Sequence, residues 1–161
     1  MKNDFDSVDR RILSELQSEG RLPIVELANR VHLTKTPCAE RVRRLERTGV
    51  IKGYRADLDT KSLGADHVTI VHVILNQTSD DSLDKFNAAV LRIPEIQSCY
   101  MLAGQFDYML KVRTSDIAHY RRVLGDEIGR LPGVQQTQSF VAMEIVKDNK
   151  SIPVPAPKGR G

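Results

Sequence analysis

Long apolar runs and cysteines are both scarce in this sequence, and each scarcity excludes a class of protein. No run approaches the roughly 20 apolar residues that a membrane-spanning helix requires. The opening residues, MKNDFDSVDRR, lack the apolar core of a signal peptide. The two cysteines, Cys38 and Cys99, lie far apart in different kinds of segment, so we expect free thiols rather than a disulfide. These features predict a cytoplasmic protein with no membrane partner.

Groups of residues that carry catalysis or bind metal are also missing from the sequence. No pair of cysteines or histidines has the spacing of metal ligands, and His67 and His72 are placed on opposite faces of a predicted strand. The sequence has no phosphate-binding glycine loop, nucleophile elbow or pair of carboxylates. We therefore expect a protein that is not an enzyme, with no catalytic residues, no metal site and no cofactor.

Positive charge is concentrated in one part of the chain. The formal net charge is +3, and residues 1–58 carry all of it, whereas basic and acidic side chains balance in residues 59–161. Between Arg30 and Arg55, eight basic residues stand against only Glu40 and Glu46. Such a local excess is typical of a surface that contacts phosphates.

The segment LTKTPCAERVRRLE, residues 33–46, predicts a short amphipathic helix in the centre of this basic region. At about 100° per residue, Cys38, Val42 and Leu45 form a narrow apolar stripe, and most of the basic residues fall on the opposite side. A helix with a basic face suits the major groove of DNA, and a solvated surface helix has the same pattern.

The ends of this helix have recognisable capping residues. Thr34 or Thr36 can supply the N-cap oxygen, and Pro37 fits the first turn, where its missing N–H costs little. Gly49 ends the helix as a left-handed residue. We therefore expect a well-delimited helix over residues 34–48.

Two more short helices precede the basic one. Apolar residues recur at helical spacing in SVDRRILSELQSEG, which Ser7 or Asp6 caps, and a second helix is predicted over residues 24–31. A turn of three or four residues at His32 joins it to the basic helix. Helices this short need one another's apolar stripes, so we predict a helix-turn-helix unit. The residues after Gly49, VIKGYRAD, alternate enough to form a short strand or wing.

The remainder of the chain predicts an α+β domain. The predicted strands are residues 67–75, 96–102, 108–112 and 134–146, and the predicted helices are residues 82–92 and 116–131. The order βαββαβ predicts a ferredoxin-like arrangement of four antiparallel strands with two helices on one face. Because strand 67–75 is apolar on both sides, we expect a second copy of the chain to cover the open face of the sheet.

The composition predicts four successive parts of the chain. These are a helix-turn-helix DNA-binding domain over residues 1–54, a polar linker over 55–66, the ferredoxin-like domain over 67–147 and a flexible tail over 148–161. The tail is proline-rich and of low complexity, which is typical of disordered segments.

Three runs of the sequence resemble the Lrp/AsnC family of bacterial and archaeal transcription regulators. They are TKTPCAERVRRLERTGVIKGY, GQFDYMLKVRT and RLPGVQQTQSFVAMEIVK, and the likeness extends over residues 6–147. Within the family the chain is most similar to the leucine-responsive branch and to activators of proline dehydrogenase genes. The resemblance implies a winged helix-turn-helix joined to a RAM/ACT-like domain that senses a ligand and forms dimers, which assemble to tetramers or octamers.

The implied function is sequence-specific regulation, as activator or repressor, of amino-acid metabolism genes. The implied effector is an amino acid, with leucine or proline as the first choices. One alternative is an architectural protein that wraps DNA without an effector. The other is a sirohaem-decarboxylase-like enzyme, which shares the two-domain arrangement but predicts haem-pocket histidines and a less basic helix.

The basic helix and its borders supply the residues that we expect to contact double-stranded DNA. Thr36 and Glu40 lie near the helix N-terminus, where base edges are usually contacted. Arg43 and Arg44 can reach guanine or phosphate, so alanine at either position should weaken DNA binding and leave the fold intact. Basic residues further along are expected to neutralise phosphate. The predicted set is Lys35, Thr36, Glu40, Arg43, Arg44, Arg47, Lys52 and Arg55.

Arg41 lies at the boundary of the apolar stripe and is expected to pair with Glu15, Glu26 or Glu46.

The turn at residues 103–107 is the predicted effector site. Its glycine permits a positive φ, and its free amides can bind a carboxylate. Asp107 can pair with an α-ammonium group, and the last strand offers hydroxyls; a plain hairpin turn has the same residues. The family binds its effector between dimers, at this turn and the last strand, which implies the set Gly104, Gln105, Asp107, Thr137, Ser139, Phe140 and Val141. The family's turn commonly has an acid where Gln105 stands, and neutral Gln105 cannot pair ionically with an ammonium group.

Overall fold

A computed structural model describes residues 5–149 and 151–154, which divide into two units. The first unit contains the described residues of the ranges 1–57 and 148–161, and the second is Leu58–Lys147. The predicted tail, 148–161, lies partly outside the described residues, since residues 150 and 155–161 are not among them.

Three helices form the first unit. They are α1 (Ser7–Ser18), α2 (Ile24–Arg30) and α3 (Lys35–Arg47). Asp6 is the N-cap of α1, and its side chain accepts a hydrogen bond from the Asp9 amide over 2.8 Å. The apolar stripes of the helices meet in one core, whose most deeply buried members are Ile12, Leu27, Cys38 and Leu45. This shared core stabilises helices that are too short to persist alone.

His32 forms the turn between α2 and α3 in the left-handed region, with φ 58°. The His32 amide donates to the Asn29 carbonyl over 3.2 Å, and the Leu33 amide donates to the Ala28 carbonyl over 2.9 Å. These two bonds form a Schellman motif, in which glycine is the usual left-handed residue. Histidine is among the few other residues enriched in this region.

Both ends of α3 can be compared with the prediction. Thr34 occupies the N-cap position, but no side chain makes a capping hydrogen bond, so the prediction that Thr34 or Thr36 supplies the cap oxygen is wrong. Gly49 has φ 72° beyond the end of the helix. Its amide donates to Glu46, and the amide of Val50 donates to Leu45. Gly49 therefore ends α3 as the left-handed residue of a second Schellman motif.

Residues 50–57 form no strand, although a short strand or wing was the expectation. The amides of Val50 and Ile51 both donate to the Leu45 carbonyl, over 3.0 and 3.1 Å. Both side chains pack against the core of the first unit. The backbone donors of Val50 and Ile51 are therefore occupied in ending α3 and cannot pair with a neighbouring strand.

The described part of the tail is bound to α1 within the same unit. The side-chain amide of Gln17 donates to the Ile152 carbonyl over 2.6 Å and accepts from the Ile152 amide over 3.0 Å. This reciprocal pair resembles one rung of a β-ladder.

The second unit is a four-stranded antiparallel sheet with helices on one face. Its elements are β1 (His67–Leu75), α4 (Asp80–Val90), β2 (Ile96–Met101), β3 (Tyr108–Thr114), α5 (Ile117–Asp126), a 3₁₀ turn (Ile128–Arg130) and β4 (Val134–Val141). The strand order is β2-β3-β1-β4. Val71, Phe86, Leu110 and Tyr120 pack in the core between sheet and helices. The predicted α+β ferredoxin-like arrangement is confirmed.

Several predicted boundaries differ from the observed ones. Strand β4 ends at Val141 rather than at residue 146, because the Ala142 amide makes the last bond, to Val68, and β1 begins one residue before Val68. Helix α4 begins two residues earlier than predicted. Helix α5 stops at Asp126, and the 3₁₀ turn replaces its predicted last turns. Gly125 and Gly129 lower the helix propensity there.

Candidate functional site: a nucleic-acid interface and a sensor turn

Helix α3 presents a polar face whose position follows from its buried side. Cys38, Val42 and Leu45 are buried against α1 and α2. The opposite side is exposed and is formed by Thr36, Glu40, Arg43 and Arg47, which we call the recognition face. Lys35 and Arg44 are exposed at its margins. The six predicted DNA-contacting residues of α3 are therefore all solvent-accessible.

The arginines of α3 fall into two classes. Among the described residues, Arg43 and Arg47 have no hydrogen-bond or ion-pair partner in the chain. Arg41 and Arg44, by contrast, are bound to carboxylates of the α1 region. The two unpaired guanidinium groups of the recognition face are available to phosphates or guanine.

Asp9 is the centre of the paired arginines. Its side chain is 2% exposed, and it accepts from Arg41 Nη1 over 2.9 Å and from Arg44 Nη2 over 2.5 Å. Arg41 Nη1 also lies 2.6 Å from Asp6 Oδ2. Arg41 therefore pairs with Asp6 and Asp9. The predicted pairing with Glu15, Glu26 or Glu46 is wrong. Arg30, not Arg41, pairs with Glu15 and Glu26.

The pKa values of this cluster follow from its contacts. Burial raises the pKa of Asp6, but the hydrogen bond from the Asp9 amide and the guanidinium of Arg41 outweigh it, so the net shift is downward. The pKa of Arg41 is raised by its hydrogen bonds to Asp6 and Asp9. Both shifts favour the charged forms of Asp6 and Arg41. Truncating Arg44 removes one partner from buried Asp9. The expectation that Arg44→Ala leaves the fold intact does not fit this contact.

Residues beyond α3 extend the basic surface. Lys52 and Arg55 are exposed. Between them, Tyr54 donates a hydrogen bond to Glu46 Oε1 over 3.0 Å. Burial and this hydrogen bond raise the pKa of Tyr54 to about 12. The segment after α3 is thus tied back to the helix that carries the recognition face.

The sensor turn, residues 103–107, connects β2 to β3 at one end of the sheet. Gly104 does not adopt a positive φ, so the turn does not use the backbone freedom that a glycine permits. A Cβ at Gly104 would meet no atom within 4 Å. The Asp107 amide donates to the Val73 carbonyl over 3.0 Å, and Asp107 Oδ2 accepts from the Leu75 amide over 2.7 Å.

The predicted effector residues of β4 do not share one face. The helix side of the sheet carries Thr137, Ser139 and Val141. Their pairing partners on β1 are Val73, Val71 and Thr69, respectively. The Ser139 hydroxyl is hydrogen-bonded to the hydroxyl of Tyr120 on α5. Burial raises the pKa of Tyr120, and this hydrogen bond opposes the shift. Phe140 lies on the other side, opposite Ile70. The structure thus separates Phe140 from the rest of the predicted β4 set.

His72, to which the sequence analysis assigned no functional role, lies on the open side of the sheet. Its ring centroid lies 4.2 Å from that of Phe106 in the sensor turn and 5.1 Å from that of Phe140. Its Nδ1 is buried without a hydrogen-bond partner among the described residues. The only signal in the sequence is its position on a strand of apolar, β-branched residues. His72 joins the sensor turn to β4.

The described part of the chain contains no group of three or more histidine, cysteine or acidic residues placed to hold a metal ion. None of its helices has the length and apolarity to cross a membrane.

Family models match both units of the chain. A winged helix-turn-helix DNA-binding model matches residues 5–52, and an Lrp/AsnC ligand binding domain model matches residues 68–152. The first match contains the recognition face, and the second contains the sensor turn.

Similar proteins agree with both matches. The chain is 52% identical to the proline dehydrogenase transcriptional activator of Rhodobacter capsulatus, over 94% of this chain and 98% of that one. It is 48% identical to the leucine-responsive regulatory protein of Escherichia coli K12, over 92% and 91%. A crystal structure of a Neisseria meningitidis transcriptional regulator in complex with L-Met superposes with a TM-score of 0.86 at 33% identity, covering 93% and 97%. These relatives are named as regulators rather than enzymes, which removes the decarboxylase-like alternative. The chain belongs to the Lrp/AsnC family of DNA-binding transcriptional regulators with an amino-acid-binding domain.

Proposed function

We propose that this protein is a sequence-specific, oligomeric regulator of amino-acid metabolism genes whose DNA affinity responds to an amino acid, with proline or leucine as the first candidates. The observation that carries the proposal is the recognition face, where Arg43 and Arg47 have no partner among the described residues. The names of the relatives support the choice of genes and effector, since one is a proline dehydrogenase activator and another a leucine-responsive regulator. Such a regulator acts on chromosomal DNA, which places it in the cytoplasm.

The proposed DNA contacts divide by position on α3. Lys35, Thr36 and Glu40 lie in the N-terminal half of the helix, the part that contacts base edges in helix-turn-helix proteins. Arg43 and Arg47 follow on the same face, one turn apart. Lys52 and Arg55 lie beyond the helix and neutralise phosphates, which adds affinity without sequence preference.

The proposed effector contacts lie at the sensor turn. Asp107 Oδ1 has no partner within the described residues, so it can accept from an ammonium group while Oδ2 remains bound to Leu75. Apart from residues 103–105 themselves, no described part of the chain approaches a Cβ position at Gly104 within 4 Å, which leaves space for a ligand or a second subunit. Gln105 contributes an amide in place of an acid, so the effector's ammonium group has Asp107 as its one ionic partner in this turn.

Assembly is proposed through the open face of the sheet, the side opposite α4 and α5. Phe140 and Tyr100 are about half exposed there, and Met143 and Val146 in the segment after β4 are almost fully exposed. Residues 142–146 form no strand within the chain. A second copy that covers this face completes a dimer, and dimers assemble into a tetramer or octamer, which multiplies weak DNA contacts through multivalency.

One experiment tests DNA specificity and effector response together. The full-length protein selects duplexes from a random library, and its affinity for the selected duplex and for a shuffled one is measured with and without proline, leucine, methionine, lysine and asparagine. We expect the selected duplex to bind at least about a thousandfold more tightly and one amino acid to change this affinity. A ratio near one would favour the architectural alternative, and no response to any amino acid would remove the effector role of the sensor turn.

The assembly is tested by sedimentation. We expect Phe140→Lys, which puts a charge on the apolar open face, to reduce the mass of the particle. Thr78→Lys, in the exposed loop after β1, adds the same charge elsewhere and should leave the mass unchanged. Equal masses for the two variants would place the interface on another surface.

A further inference from the structure

Asp9 lies behind the recognition helix rather than on its DNA-facing side, yet it holds two of the helix's arginines. Its carboxylate is nearly inaccessible to solvent, whereas the side chain of Arg44 is 47% exposed. One end of the ion pair is thus fixed in the core of the first unit, and the other end reaches the surface beside the recognition face.

Arg44 uses only part of its guanidinium to bind Asp9. The contact is made through Nη2, and Nε and Nη1 have no partner among the described residues. A guanidinium is a planar fork of five N–H donors, so fixing one arm fixes the direction of the others. Arg41 differs, because its Nη1 is shared between Asp6 and Asp9 and its side chain is less exposed.

We infer that Asp9 is a positioning residue for sequence-specific DNA binding, and that it acts by orienting the guanidinium of Arg44 before DNA arrives. An unrestrained arginine side chain loses rotamer entropy when it is immobilised, and a guanidinium held by a carboxylate has lost part of that freedom before binding. The inference rests on the proposed function and on the DNA contact that the sequence predicts for Arg44, and it adds the residue that directs this contact.

This role and a purely electrostatic one predict opposite effects of neutralising Asp9. A carboxylate near a DNA-binding surface repels phosphate, so its removal should strengthen binding to any duplex. Loss of a positioning residue should instead weaken binding to the selected duplex, although the protein has become more positive. The isosteric variant Asp9→Asn separates the two roles because it preserves volume and one acceptor.

The test measures affinities of full-length Asp9→Asn for the selected duplex and for a shuffled duplex of the same composition. Glu19→Gln is the matched control, since it removes one negative charge from the same unit at a residue that pairs with Arg30 and not with α3. We expect Asp9→Asn to lose about tenfold in affinity for the selected duplex, the size of one specific contact, with no loss on the shuffled duplex. Glu19→Gln should lose nothing on either.

A double-variant cycle establishes that Asp9 acts through Arg44. In an Arg44→Gln background, Asp9→Asn should cause no further loss of discrimination between the two duplexes. If Asp9→Asn binds the selected duplex as tightly as Glu19→Gln does, or if its effect is additive with Arg44→Gln, the inference is wrong.

Should Asp9→Asn fail to fold, Arg44→Lys provides the test, because it keeps the charge of Arg44 but not the planar fork of donors. Unchanged discrimination between the two duplexes in Arg44→Lys overturns the inference. If the wild type does not discriminate between the duplexes, the proposed function fails instead.

Discussion

The carboxylate of Asp107 accepts a hydrogen bond from the backbone amide of Leu75 over 2.7 Å. This bond joins the sensor turn to the last residue of β1, whose ladder with β3 ends at Val73. Asp107 therefore has a structural partner on one oxygen and an unoccupied oxygen on the other side of the same group. Any test of Asp107 in effector binding has to separate its contribution to stability from its contact with the effector.

Asp107→Ala and Asp107→Asn should separate them. We expect Asp107→Ala to lower the free energy of unfolding by about 1–3 kcal/mol, because the partly buried Leu75 amide loses its acceptor. Asp107→Asn keeps an acceptor and should retain most of that stability while losing ionic attraction to an ammonium group. Urea unfolding and amino-acid-induced shifts in Tm measure the two effects. An Asn variant that responds to the effector as the wild type does would show that the charge of Asp107 is not used.

His32→Gly should stabilise the first unit. The left-handed conformation costs an L-residue about 1–2 kcal/mol, and the greater freedom of glycine in the unfolded chain offsets part of the gain. Because the His32 side chain is exposed, little contact is lost. We expect a net gain of about 0.5–1 kcal/mol by thermal or urea unfolding. His32→Ala, which keeps the Cβ, is the control and should show no gain; equal stability of the two variants would contradict this account.

Arg43 and Arg41 should behave differently although they are two residues apart. Arg43→Ala removes an unpaired exposed cation, so we expect an unchanged Tm. If Arg43 contacts a phosphate, the slope of log affinity against log salt should become less negative by about 0.9. Arg41→Ala removes a partner of buried Asp9, so we expect a loss of about 1–3 kcal/mol in the free energy of unfolding. Salt titrations with DNA and urea unfolding check both. A destabilised Arg43→Ala, or a fully stable Arg41→Ala, would reverse the assignment.

Asp6 makes stability dependent on acid pH. Its pKa in the folded state is lowered from 3.8, so its contribution is fully present above that value and is lost as the pH falls through the lower folded value. Asp6→Asn keeps an N-cap acceptor but not the charge that pairs with Arg41. We expect it to be less stable at pH 7 by under about 1 kcal/mol, since Asp6 is half exposed, and this difference should shrink below pH 3.8.

Asp57→Asn is the control for this pH dependence. It makes the same change of charge at an exposed residue of the same unit that has no partner among the described residues. We expect the stability difference between Asp6→Asn and the wild type to change with pH by more than the corresponding difference for Asp57→Asn. If the two differences change equally from pH 7 to pH 2, the ion pair with Arg41 contributes nothing.

Periodicity in the sequence determined which segments are helices and strands. The apolar stripe of Cys38, Val42 and Leu45 predicted the orientation of α3, and it lies against the core as expected. The alternating and β-branched runs predicted four strands in the correct order, and β1 has the predicted bounds. These patterns are local, because an amphipathic element must present its apolar side to whatever neighbour covers it. The family resemblance, carried by short runs of residues, is likewise a property of the sequence.

Only the tertiary structure decided which residues meet across elements. Arg44 and Arg43 are adjacent and chemically identical, but α1 passes beside Arg44 and brings buried Asp9 to it. Alternation along a strand predicts that Ser139 and Phe140 point opposite ways, but only the register of β4 against β1 puts Ser139 on the helix side and Phe140 on the open face. The unpaired end of the last predicted strand follows from where β1 begins. A contact between residues far apart in sequence produces no repeating pattern in the chain. The basic helix was therefore predictable from the sequence, whereas the division of its arginines into paired and unpaired was not.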